Sequence, residues 1–381
     1  MPTKINLTLP RSWNQCTTAQ LELIADVLHD QVERTDRYHP FSMQNVKIAL
    51  FFALSGIEIV EGPNPRVPVE EQYYTCRLAS PRSRWFSIGN KSDTFSLYLW
   101  QINYWLSPKA NERKVGKDSP EAISSGAGLL DWIENDNGQF LTRFPYDLIT
   151  RPFYPLRRAS EPLSSPLRRA SEILPSPLRR ASELIGRKFH GPSTDLDGFS
   201  WSQYRLATEA MQSYVSLSNS LVIMKQRGTF SDAQMARQAK SVDMARAMFL
   251  ATIFNASVKH IDTATGMIHK DYHYESNQIT DNAQYFRHFP DTKWQVILFW
   301  WTGIMHTLST RYPHVFKVQK VDKKKRPSSS MEIYTATIAT MQKYVGINEK
   351  DCNNQSYSLV LEQLERMSKE NEELERMRKK K

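Results

Sequence analysis

His269-Lys-Asp-Tyr-His273 places two imidazoles four residues apart with a carboxylate between them. Neutral imidazole is the commonest metal ligand. On a helix, positions i and i+4 share a face, which is the spacing of a two-His metal site. Gly266 and the neighbouring tyrosines oppose a stable helix, and no Glu follows the first His as it does in a zinc peptidase. His260 and His288 are candidates for a third ligand only by nearness in sequence. The pair is therefore read as loop histidines. No metal, no cofactor and no catalytic residue is assigned, because catalytic zinc takes three protein ligands and a water.

A second chemistry repeats three times. Pro-Leu-Arg-Arg-Ala-Ser-Glu occurs at 155–161, 166–172 and 177–183, identical each time and with a period of 11 residues. The Arg-Arg-Ala-Ser core resembles the substrate consensus of basophilic Ser/Thr kinases, which makes Ser160, Ser171 and Ser182 candidate modification sites. A phosphate there would lie beside an Arg pair able to bind it. The pairs Arg157-Arg158, Arg168-Arg169 and Arg179-Arg180 are also candidate phosphate contacts for nucleic acid. They lack the interleaved aromatic side chains on which bases stack. A letter-perfect repeat suits a tandem duplication in an exposed linker, since each position of a packed core has its own environment.

Charge follows the repeats. Residues 151–191 hold nine Arg or Lys against three Glu, a net +6 of the chain's +10. The basic character that would point to nucleic acid is thus largely a linker property. Three widely separated cysteines, Cys16, Cys76 and Cys352, give neither a disulfide framework nor a CxxC site. The longest apolar stretch, around 294–305, is shorter than the about 20 residues of a membrane span. No membrane partner is expected, and a cytoplasmic or virion location is. No phosphate-binding Gly-rich loop and no G-x-S-x-G elbow occurs. These absences lower the odds of an enzyme without excluding a hydrolase.

The elements that must position such residues are mainly helical. The expected fold is mainly α with a small N-terminal β element (α+β) and a helical C-terminal domain. Ile57–Val60, Tyr73–Leu78 and Trp85–Ile88 read as strands. Thr17 or Thr18 caps a helix with Leu21, Ile24, Ala25, Leu28 and Val32 on its apolar face. Asp93-Thr94 opens another helix through Leu97, Leu99 and Trp100. Residues 257–291 read as irregular. Trp294–Leu308 is nearly apolar all round and so is read as a central buried helix. The expected organisation is an α+β domain over 1–150, a basic proline-rich linker over 151–191, a helical domain over 192–318, a basic linker over 319–330 and C-terminal helices over 331–381. In the last helix Tyr357, Val360, Leu364, Met367, Asn371 and Leu374 form a short heptad seam. It fits a coiled coil or a helix docked on its own domain.

The opening Ile5-Asn-Leu-Thr-Leu-Pro-Arg-Ser-Trp-Asn14, with Pro10, Ser12, Trp13 and the run from Thr17 to Leu21, resembles uncharacterised proteins of Bacteroidetes genomes and their prophages. Glu332-Ile-Tyr-Thr335, Gln342-Lys-Tyr344 and Gly346 resemble that group's ending, as does Gly191-Pro192-Ser193 in part. The repeats are foreign to it. The resemblance implies a phage or prophage structural or assembly protein, from the head–tail morphogenesis module, with other phage structural or assembly proteins as partners. A nucleic-acid-associated protein using its basic linkers is the alternative from another class. The oligomeric state stays open.

Overall fold

The computed structural model describes residues 9–33, 41–78, 94–106, 129–134, 140–146, 148–151, 187–261, 268–272, 274–317 and 330–380. All three Pro-Leu-Arg-Arg-Ala-Ser-Glu units, with Ser160, Ser171 and Ser182 and their Arg pairs, lie outside the described residues, as do the strand expected at 85–88 and the linker at 319–329. The described helices are α1 (Thr18–Glu33), α2 (Met43–Ser55), α3 (Leu99–Leu106), α4 (Trp201–Arg227), α5 (Asp232–Ile253), α6 (Ile279–Phe286), α7 (Asp291–Arg311), α8 (Ser330–Val345), α9 (Glu349–Asn354) and α10 (Tyr357–Lys380). The strands are β1 (Ile57–Glu61), β2 (Tyr73–Leu78), β3 (Phe95–Tyr98), β4 (Leu148–Arg151), β5 (Arg187–His190), β6 (Asn255–Ile261) and β7 (Ile268–Tyr272). The protein is mainly α with a small N-terminal β element, and its C-terminal region is helical. No helix among the described residues is long and apolar enough to cross a membrane.

Two compact units result. Unit 1 comprises Met1–Arg143 and Asp291–Ile304, and unit 2 comprises Phe144–Pro290 and Met305–Lys381. The first fourteen residues of α7 thus group with the N-terminal unit, a division that the linear reading of 192–318 as one helical domain does not contain.

In unit 1 the antiparallel order is β1-β2-β3, with Cys76 opposite Ile59 and Phe95. The helix expected from residue 93 differs here. Phe95–Tyr98 alternates and pairs with β2, and the helix begins only at Leu99. Ladder hydrogen bonds override the local helical tendency. Thr17 and Gln20 form a reciprocal cap on α1: Gln20 N–H donates to Thr17 Oγ1 at 3.2 Å and Thr17 N–H to Gln20 Oε1 at 2.9 Å. Leu21, Ile24 and Ala25 are buried, whereas Val32 in the last turn stands exposed. Trp13 packs edge-on against Trp132 with centroids 5.1 Å apart, and Trp132 Nε1 donates to the Pro10 carbonyl at 3.0 Å. Asn14 accepts from the backbone N–H groups of Thr142 and Arg143. The Pro-x-Ser-Trp-Asn opening is therefore an anchor of the unit 1 core. Trp294, Val296, Ile297, Trp300 and Trp301 of α7 are buried, with Trp300 Nε1 donating to the Thr142 carbonyl at 3.2 Å.

Unit 2 carries an antiparallel sheet of order β4-β5-β6-β7. The stretch read as irregular thus holds most of β6, with β7 and α6; β6 and β7 pair with each other from Ser257–Tyr272 to Ile261–Ile268, and β5 joins through Asn255 and Ala256. Its core is aromatic: Phe254 stacks on Phe286 at 5.4 Å, and Phe189 meets Phe286 edge-on at 4.9 Å. A capping box between Ser231 and Gln234 starts α5, and Gly228 at φ +64° ends α4. α10 is docked through Tyr357, Val360, Leu361 and Met367, while Leu374 is exposed.

Candidate functional site

The residues that converge in unit 2 come from α4, α8, α9 and α10. Ser200 caps α4 by accepting from Gln203 N–H at 3.1 Å. The segment before it is tied to the turn before α10: Trp201 N–H donates to the Gln355 carbonyl at 2.7 Å and Tyr357 N–H to the Phe199 carbonyl at 3.1 Å. Asp195 and Leu196 adopt left-handed backbone at φ 59° and 58°, a conformation that disfavours residues with a Cβ. The Tyr357 hydroxyl donates to the Asp195 carbonyl at 2.6 Å, which helps hold that turn. Asp195 and Asp197 are exposed turn residues.

Tyr334 of α8 is the hinge between two concavities. Its hydroxyl donates to Glu349 Oε1 at 2.6 Å and accepts from Asn353 Nδ2 at 2.8 Å. The Arg205 guanidinium lies 4.4 Å from the centre of its ring, a cation–π distance. On one side is an open polar groove of about 910 Å³, lined by hydroxyls, amides and the Glu275, Glu349 and Lys350 side chains. Asn353 leaves its buried Oδ1 without a donor. On the other side is a smaller, mainly apolar cavity of about 210 Å³ between α4, α8, α10 and Val315-Phe316.

The phenols here are held neutral. Burial pushes Tyr274 up to about 12 and Tyr357 up to about 12. Burial, then the hydrogen bond to Glu349, raises Tyr334. At neutral pH these groups are hydrogen-bond partners rather than bases. Ser200 Oγ is engaged in the helix cap. The arrangement is suited to holding a ligand by hydrogen bonds and aromatic faces.

The expected site residues fall elsewhere. His269 lies in β7 rather than in a loop, and the register sets it opposite His260 of β6. Residue 273 lies outside the described residues. His288 is exposed. The sequence reading missed Arg205, Tyr334 and Glu349. One signal was available: Trp201 and Arg205 are four residues apart on a capped helix, so an indole and a guanidinium share a face. Neither a family model, a curated protein nor a solved structure matches this chain.

Proposed function

We propose that the protein is a non-enzymatic structural or assembly protein of a bacteriophage or prophage, acting in head–tail morphogenesis. The observation that carries the reading is the far half of α4. Beyond Met211 none of its residues is buried, and Val215, Val222 and Ile223 stand about half exposed. Val215 and Val222 are one heptad apart and so lie on one face. Gln238 Nε2 donates to the Leu217 carbonyl at 3.0 Å and ties α5 to this stretch. A braced helix pair with an exposed apolar row is a surface that protein partners cover. The resemblance of the chain ends to prophage proteins supplies the biological setting. The test is capture of the tagged chain from induced or infected cells. Head and tail proteins should come along, and Val215→Glu with Val222→Glu should lose them while keeping the thermal transition. Particles that lack the protein and a capture free of virion proteins would overturn the reading.

A further inference from the structure

Strand pairing in unit 2 brings together histidines that are separate in sequence. The antiparallel register of β6 and β7 sets His260 directly opposite His269, and Val258 opposite Asp271. Successive residues of a strand belong to opposite faces. His260, His269 and Asp271 therefore share one face of the pair, while Lys259 and Lys270, opposite each other, share the other. This juxtaposition is independent of the α4 surface that supports the assembly reading.

Among the residues that the described ladders set opposite one another, His260–His269 is the only pair in which both are His, Cys, Asp or Glu. Elsewhere among the described residues no group of three or more such side chains could hold a metal ion. Directly opposite positions have Cβ atoms about 4.5–5.5 Å apart. Tetrahedral bonds of about 2.0–2.1 Å to zinc leave two ligand nitrogens roughly 3.3 Å apart. Imidazoles built on such positions need converge by only about an ångström each. Asp271 follows His269 by two residues, about 6.8 Å along the strand. It is diagonal to His260 across the pair, roughly 7–8 Å away. A carboxylate there can complete a set of two nitrogens and one oxygen. Such a set suits zinc and its first-row neighbours, whereas magnesium and calcium take oxygen ligands. β7 is the edge of the order β4-β5-β6-β7, so no further described strand walls that flank.

We propose that His260, His269 and Asp271 form a zinc-binding site across β6 and β7. The metal clips the two strands together and so stabilises the folded chain. The competing ligand set is the one that sequence spacing suggests, His269 with His273, and the two sets predict different variants.

The test uses the full chain, purified without a histidine tag and stripped with chelator. The probes are Zn2+ and Co2+, with Mg2+ as control. Zn2+ should bind saturably by calorimetry, and Co2+ should give visible d–d absorption that Zn2+ bleaches. Mg2+ should do neither. His260→Ala and His269→Ala should each weaken Zn2+ binding by at least about 100-fold, since changes outside the ligand shell alone cost roughly 10–100-fold. Asp271→Asn should weaken it by at least about tenfold. His273→Ala and His288→Ala should leave it unchanged. Saturating Zn2+ should raise the Tm of the unaltered chain and not that of His260→Ala. No saturable Zn2+ binding would overturn the proposal, as would binding lost in His273→Ala and kept in His260→Ala. Where an alanine variant folds poorly, the unaltered chain still decides. Zn2+ should protect His260 and His269 from diethylpyrocarbonate, read by mass spectrometry, and equal modification with and without Zn2+ would overturn the site.

Discussion

Lys47 offers a test of how unit 1 tolerates a buried charge. It sits in α2 at 2 % exposure, with Nζ 2.8 Å from Asp131 Oδ1 and 2.7 Å from Glu134 Oε1. Burial alone would lower its pKa. Hydrogen bonds and charge from Asp131 and Glu134 outweigh that and hold it above the ordinary 10.5. The two sides of the interaction are not equivalent, because both carboxylates keep access to water and the ammonium does not. Replacing both with Asp131→Asn and Glu134→Gln strands a buried cation and should cost about 3–5 kcal/mol. Lys47→Met removes the cation, keeps the apolar stem and lets the carboxylates hydrate, so its cost should be about 1 kcal/mol. A raised folded-state pKa means this stabilisation is complete below the ordinary lysine value and is lost as pH rises through the folded one. Urea unfolding would measure these costs, with hydrogen exchange at the α2 amides localising them to unit 1. Lys47→Met proving as costly as the double carboxylate variant, or no loss of the α2 protection at alkaline pH, would refute the reasoning.

A Cβ added at Gly303 would meet the Leu141 carbonyl oxygen at 2.2 Å. Gly303→Ala should therefore cost about 1–3 kcal/mol through overpacking, visible as a lower Tm. Glu365 accepts from His314 N–H, Val315 N–H and the His314 ring. Burial would raise its pKa, but these hydrogen bonds hold it below the ordinary 4.5. Its contribution is thus present above pH 4.5 and lost as pH falls through the lowered value; Glu365→Gln should flatten that acid limb in a pH series of melts. Ser231→Ala removes the α5 capping box and should cost about 1 kcal/mol, with Ser231→Gly costing only a few tenths; an unchanged Tm in Ser231→Ala would show that the cap does not stabilise α5.

Elements whose signal is local were readable. Trp294–Leu308 announces α7 by continuous apolarity, and Ser42, Thr17 and Gly56 mark helix ends by their own chemistry. What periodicity could not supply was partnership across distance. Phe95–Tyr98 becomes a strand only because β2 lies beside it. Phe189 pairs with Ala256 across a long interval of chain, and neither segment alone specifies that register. The same holds for the cavity. Arg205, Tyr334 and Leu361 come from three helices, and a buried donor without an acceptor is a property of their packing. A motif search looks for reactive residues near one another in sequence, and these are not.

The membership of Asp291–Ile304 in unit 1 has a consequence for biogenesis. Residues up to Arg143 are synthesised first, yet the unit lacks Trp294, Val296, Ile297, Trp300 and Trp301 until about 160 further residues have been made. At about 5–20 residues per second that interval is on the order of 10–30 s. During it the N-terminal partners of this segment, among them Trp13, which meets Phe299, and the Thr142 carbonyl, which accepts from Trp300, wait uncovered. The nascent N-terminal half is therefore a natural client for a ribosome-associated holdase, and a stalled or truncated chain ending before residue 291 should aggregate where the complete chain does not.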